Sequence, residues 1–133
     1  DYRAVVARVG IYDMLRHETD FANGPYNVSE YGSVTDPAQF KATLAYSPLQ
    51  NVKPRTAYPA VLMTTGANDP RVAPWQSRKF TAALQNATSS DQPILLLTRM
   101  NAGHGVGAPF SQRVGDTAIG LTFFAHELGL PAK

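Results

Sequence analysis

Pro93-Ile94-Leu95-Leu96-Leu97-Thr98-Arg99-Met100-Asn101-Ala102-Gly103-His104-Gly105-Val106-Gly107 is a short apolar run that ends in a glycine-rich bend around one histidine. The apolar half is short and bounded by proline and turn residues, which predicts a buried strand over residues 94–98. The glycines beyond it leave open space around the His104 ring, a setting in which an imidazole can work as a base. The competing reading is a loop histidine that only accompanies a turn. A matching arrangement lies upstream: residues 59–66, Pro-Ala-Val-Leu-Met-Thr-Thr-Gly, form a second apolar run, and Asp69 stands just past its end.

Working outward, residues 5–11 form a third apolar stretch, β-branched and stopped by glycine. It predicts a central strand covered on both faces, with Arg8 as the discordant residue. Residues 12–18 predict one or two helical turns, and Asn23-Gly24-Pro25 opens an irregular region reaching Tyr31-Gly32. Asp36-Pro37-Ala38-Gln39 supplies an N-cap acceptor, a first-turn proline and a capping-box glutamine, so a helix is expected to end near Tyr46. Residues 51–58 read as a surface connection. Pro74 predicts the start of a helix through Trp75, Phe80, Ala83 and Leu84 that runs out at residues 86–91. The last helix rests on Val114, Ala118, Leu121, Ala125 and Leu128, spaced by four and three, with Gly129 as its left-handed cap.

Strand, helical crossover, strand, helix, strand, helix is the order of an α/β fold. About three mostly parallel strands with flanking helices are expected, because parallel neighbours need a long crossover. In such sheets ligands collect at the carboxyl ends of the strands, the edge on which both Asp69 and His104 are expected. The 133 residues suffice for one domain, taken as 1–133.

Composition narrows the chemistry. The 44% hydrophobic and 17% charged shares suit a soluble domain, and no run approaches the ~18 apolar residues of a membrane span. The net charge of +2 is dispersed, without the basic block that nucleic-acid binding requires. No membrane or nucleic-acid partner is expected. Cysteine is absent, which removes disulfides, thiolate metal sites and a cysteine nucleophile. The three histidines, His17, His104 and His126, form no metal-ligand spacing, so neither metal nor cofactor is expected. The compartment stays open between cytoplasm and periplasm.

A carboxylate bonded to one imidazole nitrogen fixes the tautomer and lets the other nitrogen take a proton from a hydroxyl. Acid before histidine, with a nucleophile further upstream, is the order used by α/β-hydrolases. Their serine stands in a Gly-x-Ser-x-Gly turn, and no serine of this chain has that setting. The nucleophile is therefore expected to be missing from these residues.

Val9-Gly10-Ile11-Tyr12-Asp13-Met14, Tyr46-Ser47-Pro48, Asp69-Pro70-Arg71-Val72 and His104 between Gly103 and Gly105 occur in an order that spans essentially the whole chain. Together they resemble the C-terminal part of the catalytic domain of the prolyl oligopeptidase family of serine peptidases. The resemblance implies the C-terminal portion of an α/β-hydrolase fold that lacks the half bearing the nucleophile and the family's β-propeller. It implies Asp69 as triad acid, His104 as triad base, and Arg71 as the arginine that binds the substrate backbone. Val72 and Ile11 match positions lining the pocket for the residue before the scissile bond. A tryptophan that stacks on proline in proline-selective members is absent, and Tyr26 is the aromatic available in its region. Each position has a plainer reading: a salt bridge to Asp69 for Arg71, ordinary core for Val72 and Ile11, a helix start or surface for Asp13, helix packing for Trp75.

The expected function is thus that of a piece of a serine-type peptidase, inactive alone, acting on peptides once its upstream half is present. Either that half or a dimer mate is expected to cover an exposed sheet edge. The alternatives are a small doubly wound ligand-binding module and an inert truncation product.

Overall fold

Parallel pairing joins β1 (Ala4–Arg8) to β2 (Ala60–Gly66) and β2 to β3 (Ile94–Arg99), with Val5 opposite Val61 and Val61 opposite Ile94. This computed structural model describes residues 2–20, 23–105 and 108–131. Val106 and Gly107, the end of the glycine-rich bend, lie outside the described residues, as do Asp1 and the last two residues of the expected domain.

The three expected strands are present and parallel, but their placement differs in one respect. β1, expected to be central, is an edge of the described sheet, and its residues are half-buried or exposed. The reason lies in β2, which is flanked on both sides and takes the centre. Its side chains alternate between two cores. Val61 and Met63 pack with Tyr12, Leu84 and Ile94 on one face, while Ala60 and Leu62 pack with Phe123 on the other. A strand covered on both faces reads as an unbroken apolar run, which is how residues 60–63 read.

The helices between and after the strands are α1 (Met14–His17), α2 (Val28–Tyr31), α3 (Pro37–Tyr46), α4 (Trp75–Ala87) and α5 (Phe110–Glu127). Residues 23–32, expected to be irregular, instead hold α2 and a 3-10 turn at Gly24–Asn27. Tertiary contact overrides the local punctuation there: Gly24 is pressed against the His17 carbonyl, and Asn27 Nδ2 lies 2.8 Å from His17 Nε2. α3 has its expected bounds, and Asp36 Oδ1 accepts the Ala38 and Gln39 N–H groups at 2.8 and 2.9 Å. Gln39 does not close a capping box on Asp36. Its Oε1 reaches past the cap to the Ser33 N–H at 2.6 Å.

α5 also forms as expected and ends in a Schellman cap, with Gly129 at φ +69 and the Leu130 N–H bonded to the Ala125 carbonyl at 2.8 Å. Its inward face is not the regularly spaced one. Gly120 and Phe123 are buried, with Ile119 and Phe124 packed beside them, whereas Val114, Leu121 and Leu128 are 50%, 63% and 48% exposed. α5 thus carries two apolar stripes, and the regularly spaced one faces away from the sheet.

Candidate active site

β2 and β3 each end in a loop, and the two loops are zipped together by their backbones. The Ala67 N–H donates to the Arg99 carbonyl at 2.9 Å, the Asn68 N–H to the Ala102 carbonyl at 3.0 Å, and Asn68 Nδ2 to the Met100 carbonyl at 3.0 Å. Gly66 makes this approach possible. A Cβ there would lie 2.2 Å from the Gly103 oxygen and 2.4 Å from the Ala102 oxygen. Further along, Gly105 turns the chain at φ +90, a conformation that suits glycine.

The zipped loops bring Asp69 and His104 together. His104 Nδ1 is 2.8 Å from Asp69 Oδ2, with the imidazole 24% exposed and the carboxylate wholly buried. The other carboxylate oxygen accepts the Arg71 and Val72 N–H groups at 2.8 and 2.9 Å, so the turn after Asp69 fixes the acid in place. With a carboxylate accepting at Nδ1, the ring carries its proton there and leaves Nε2 as an acceptor. His104 lines a cavity of about 210 Å³ at the carboxyl ends of all three strands, with Val9, Thr65, Gly66 and Leu97 among its walls. Val9 is held at φ 43, a conformation a β-branched residue rarely adopts.

The other singled-out residues are placed as follows. Arg71 is exposed and meets Asp69 through its backbone N–H; among the described residues its guanidinium forms no ion pair with Asp69. Val72 and Ile11 are half-buried. Tyr26 is 81% exposed on the 3-10 turn, and Asn23 joins that turn to the Arg71 loop through a 3.3 Å hydrogen bond to the Arg71 carbonyl. Among the described residues no group of three or more His, Asp or Glu side chains is placed to hold a metal. No described helix is long and apolar enough to cross a membrane.

Of the two plainer readings of Asp13, helix start and surface, the structure bears out the first in position and overturns the second. It stands just before α1 but makes no side-chain cap, and it is fully buried. Its Oδ2 accepts from Lys79 Nζ at 2.5 Å and Arg16 Nη1 at 3.1 Å, and its Oδ1 from Gln50 Nε2 at 2.9 Å. Burial pushes this carboxyl upward, but the hydrogen bonds from Lys79, Gln50 and Arg16 together outweigh burial and hold it below its ordinary range. Nothing local in the sequence marks this cluster, because its members come from three separate segments, around Asp13, Gln50 and Lys79.

A family model, the prolyl oligopeptidase family, matches residues 1–131. The chain is similar to the prolyl endopeptidase of Elizabethkingia meningoseptica, 39% identical over 92% of this chain and 17% of that protein. It is similar to the prolyl endopeptidase of Dictyostelium discoideum at 36% identity, over 97% of this chain and 17% of the relative. Among solved structures, a chain from a structural and mechanistic analysis of two prolyl endopeptidases superposes with a TM-score of 0.88 at 38% identity, over 98% of this chain and 19% of the other. Oligopeptidase B from Leishmania major superposes with a TM-score of 0.92 at 25% identity, over 99% and 18%. The chain therefore spans less than a fifth of the length of these relatives. The family match, the similarity that extends over 92% and 97% of the chain in the two relatives and the shared fold agree: the chain belongs to the prolyl oligopeptidase family.

Proposed function

We propose that this chain supplies the acid and the base of a Ser-Asp-His triad in a serine-type oligopeptidase, whose nucleophile is carried by a part of the protein outside these 133 residues. The observation that carries this reading is the 2.8 Å contact between His104 Nδ1 and the buried Asp69 carboxylate. Asp69 keeps the imidazole in the tautomer whose Nε2 can accept a proton and stabilises the imidazolium that follows. Nε2 takes the proton of a serine hydroxyl as its oxygen attacks the peptide carbonyl. The imidazolium then gives that proton to the leaving amine as the C–N bond breaks. Water, activated by the same nitrogen, hydrolyses the acyl-serine ester and returns the hydroxyl.

In this reading the exposed Arg71 guanidinium binds a carbonyl of the substrate backbone. Val72 and Ile11 line the pocket for the residue before the scissile bond, and Tyr26 is the aromatic that meets it from the 3-10 turn. The cavity beside His104 opens on the strand ends next to β1, an edge that the nucleophile-bearing part would cover. The resemblance of the relatives, named as endopeptidases and oligopeptidases, supports peptides as the substrate class.

A fluorophosphonate probe tests this directly. The 133-residue chain alone is expected to stay unlabelled, and the chain continuous with its upstream part is expected to be labelled on a serine outside these residues. Labelling of the isolated chain, or of a serine within it, contradicts the reading.

A further inference from the structure

The buried cluster around Asp13 joins segments that the proposed mechanism needs to hold together. The Gly10–Asp13 turn carries Ile11. Its Tyr12 and Asp13 N–H groups both donate to Gln76 Oε1, at 2.9 and 2.7 Å, and its Tyr12 carbonyl accepts the Leu49 N–H at 2.8 Å. Gln76 and Lys79 lie on the first turns of α4, directly after Val72, Ala73 and Pro74. Lys79 closes the connection by reaching back to Asp13. Ser47 and Gln50 complete it: Ser47 Oγ accepts the Met14 N–H at 3.0 Å and donates to Gln50 Oε1, whose amide nitrogen bonds Asp13. The turn before α1 is thereby fixed to the same helix that anchors the Asp69–Val72 loop.

A packing role alone does not call for a carboxylate here. A buried anion met by two cations costs desolvation that an apolar residue would avoid, and its return is a defined geometry among its partners. That geometry connects two loops at the carboxyl edge of the sheet, one after β1 and one after β2. We infer that Asp13, through Lys79, Gln50 and the turn it anchors, is a positioning residue that holds Ile11 in register with Val72, so that the pocket for the residue before the scissile bond exists before substrate arrives. This rests on the assignment of Ile11 and Val72 made above. Asp13 itself touches no reacting atom; it acts on binding through the wall it places.

Steady-state kinetics of the complete protein test it, with peptide substrates that vary at the residue before the scissile bond. Asp13→Asn is expected to raise KM about tenfold, leave kcat within about twofold, and alter the ranking of substrates, because a displaced wall weakens binding more than chemistry. The pH dependence governed by His104 is expected to stay in place. Lys79→Met should move KM in the same direction. The double variant should be little worse than Asp13→Asn alone, since both changes break one contact.

If kcat and thermal stability fall together while KM and substrate ranking hold, Asp13 is merely structural and the inference is wrong. Should Asp13→Asn fail to fold, Lys79→Met, whose side chain is 40% exposed, carries the same KM criterion. An unsubstituted complete protein that hydrolyses no peptide sinks the triad reading and this inference together. An active one whose variants bind substrate unchanged sinks only this one.

Discussion

A methyl group on Gly66 would stand 2.2 Å from the Gly103 oxygen, so the Asp69 loop and the His104 loop could no longer lie side by side. Gly66→Ala is accordingly expected to cost about 1–3 kcal/mol in urea unfolding, the range of an overpacked site, and to separate the Asp69–His104 pair. An unchanged unfolding midpoint would show that the loops part without cost. His17 offers a second test at this scale. It is buried against Asn27 and Tyr31, and that burial lowers its imidazole below the ordinary 6.5, with the charge of Asp20 opposing. The unfolded chain then takes up a proton the folded chain resists. Stability contributed by neutral His17 is present above the ordinary value and is lost as pH falls below it. Urea midpoints measured from about pH 8 down to about pH 5 should drop, and His17→Gln should flatten the acid-side slope. Equal slopes for the two proteins would remove His17 as the cause.

α5 shows how element-scale patterning can mislead. Val114, Ala118, Leu121, Ala125 and Leu128 have the spacing of a buried stripe, yet the sheet takes Gly120 and Phe123 instead. Spacing identifies a helix and an apolar face; it does not say which of two apolar faces meets the sheet. Phe123→Ala is therefore expected to cost about 3–5 kcal/mol of folding stability, as for a buried aromatic. Leu121→Ala, at a 63% exposed position, should stay within about 0.5 kcal/mol. The reverse ranking in urea unfolding would mean that the regular stripe is the inner one. Much else at this scale was legible. Asp36 and Pro37 begin α3 where a cap acceptor and a first-turn proline belong, and Gly129 closes α5. The buried role of Asp13 was not, because it depends on Lys79 and Gln50, which only tertiary folding brings near.

At the scale of the molecule, the order of strands and helices already implied a parallel sheet with Asp69 and His104 on one edge. The closeness of those two residues is a property of the zipped loops, which no local pattern encodes. Neither could the sequence tell that β2 rather than β1 sits at the centre, since both read as apolar runs. The described sheet ends in β1 on one side and β3 on the other, and the chain spans 17% of the prolyl endopeptidase of Elizabethkingia meningoseptica. Under the proposed function, the remaining part brings the nucleophile to the cavity beside His104. The decisive measurement is kcat/KM for peptide hydrolysis by the complete protein with Asp69→Asn, a change that keeps the shape of the side chain and removes its charge. The account predicts a loss of about 10⁴-fold with folding stability retained, the size of effect when a triad acid no longer sets the histidine tautomer. A variant within about tenfold of the unsubstituted protein would contradict it.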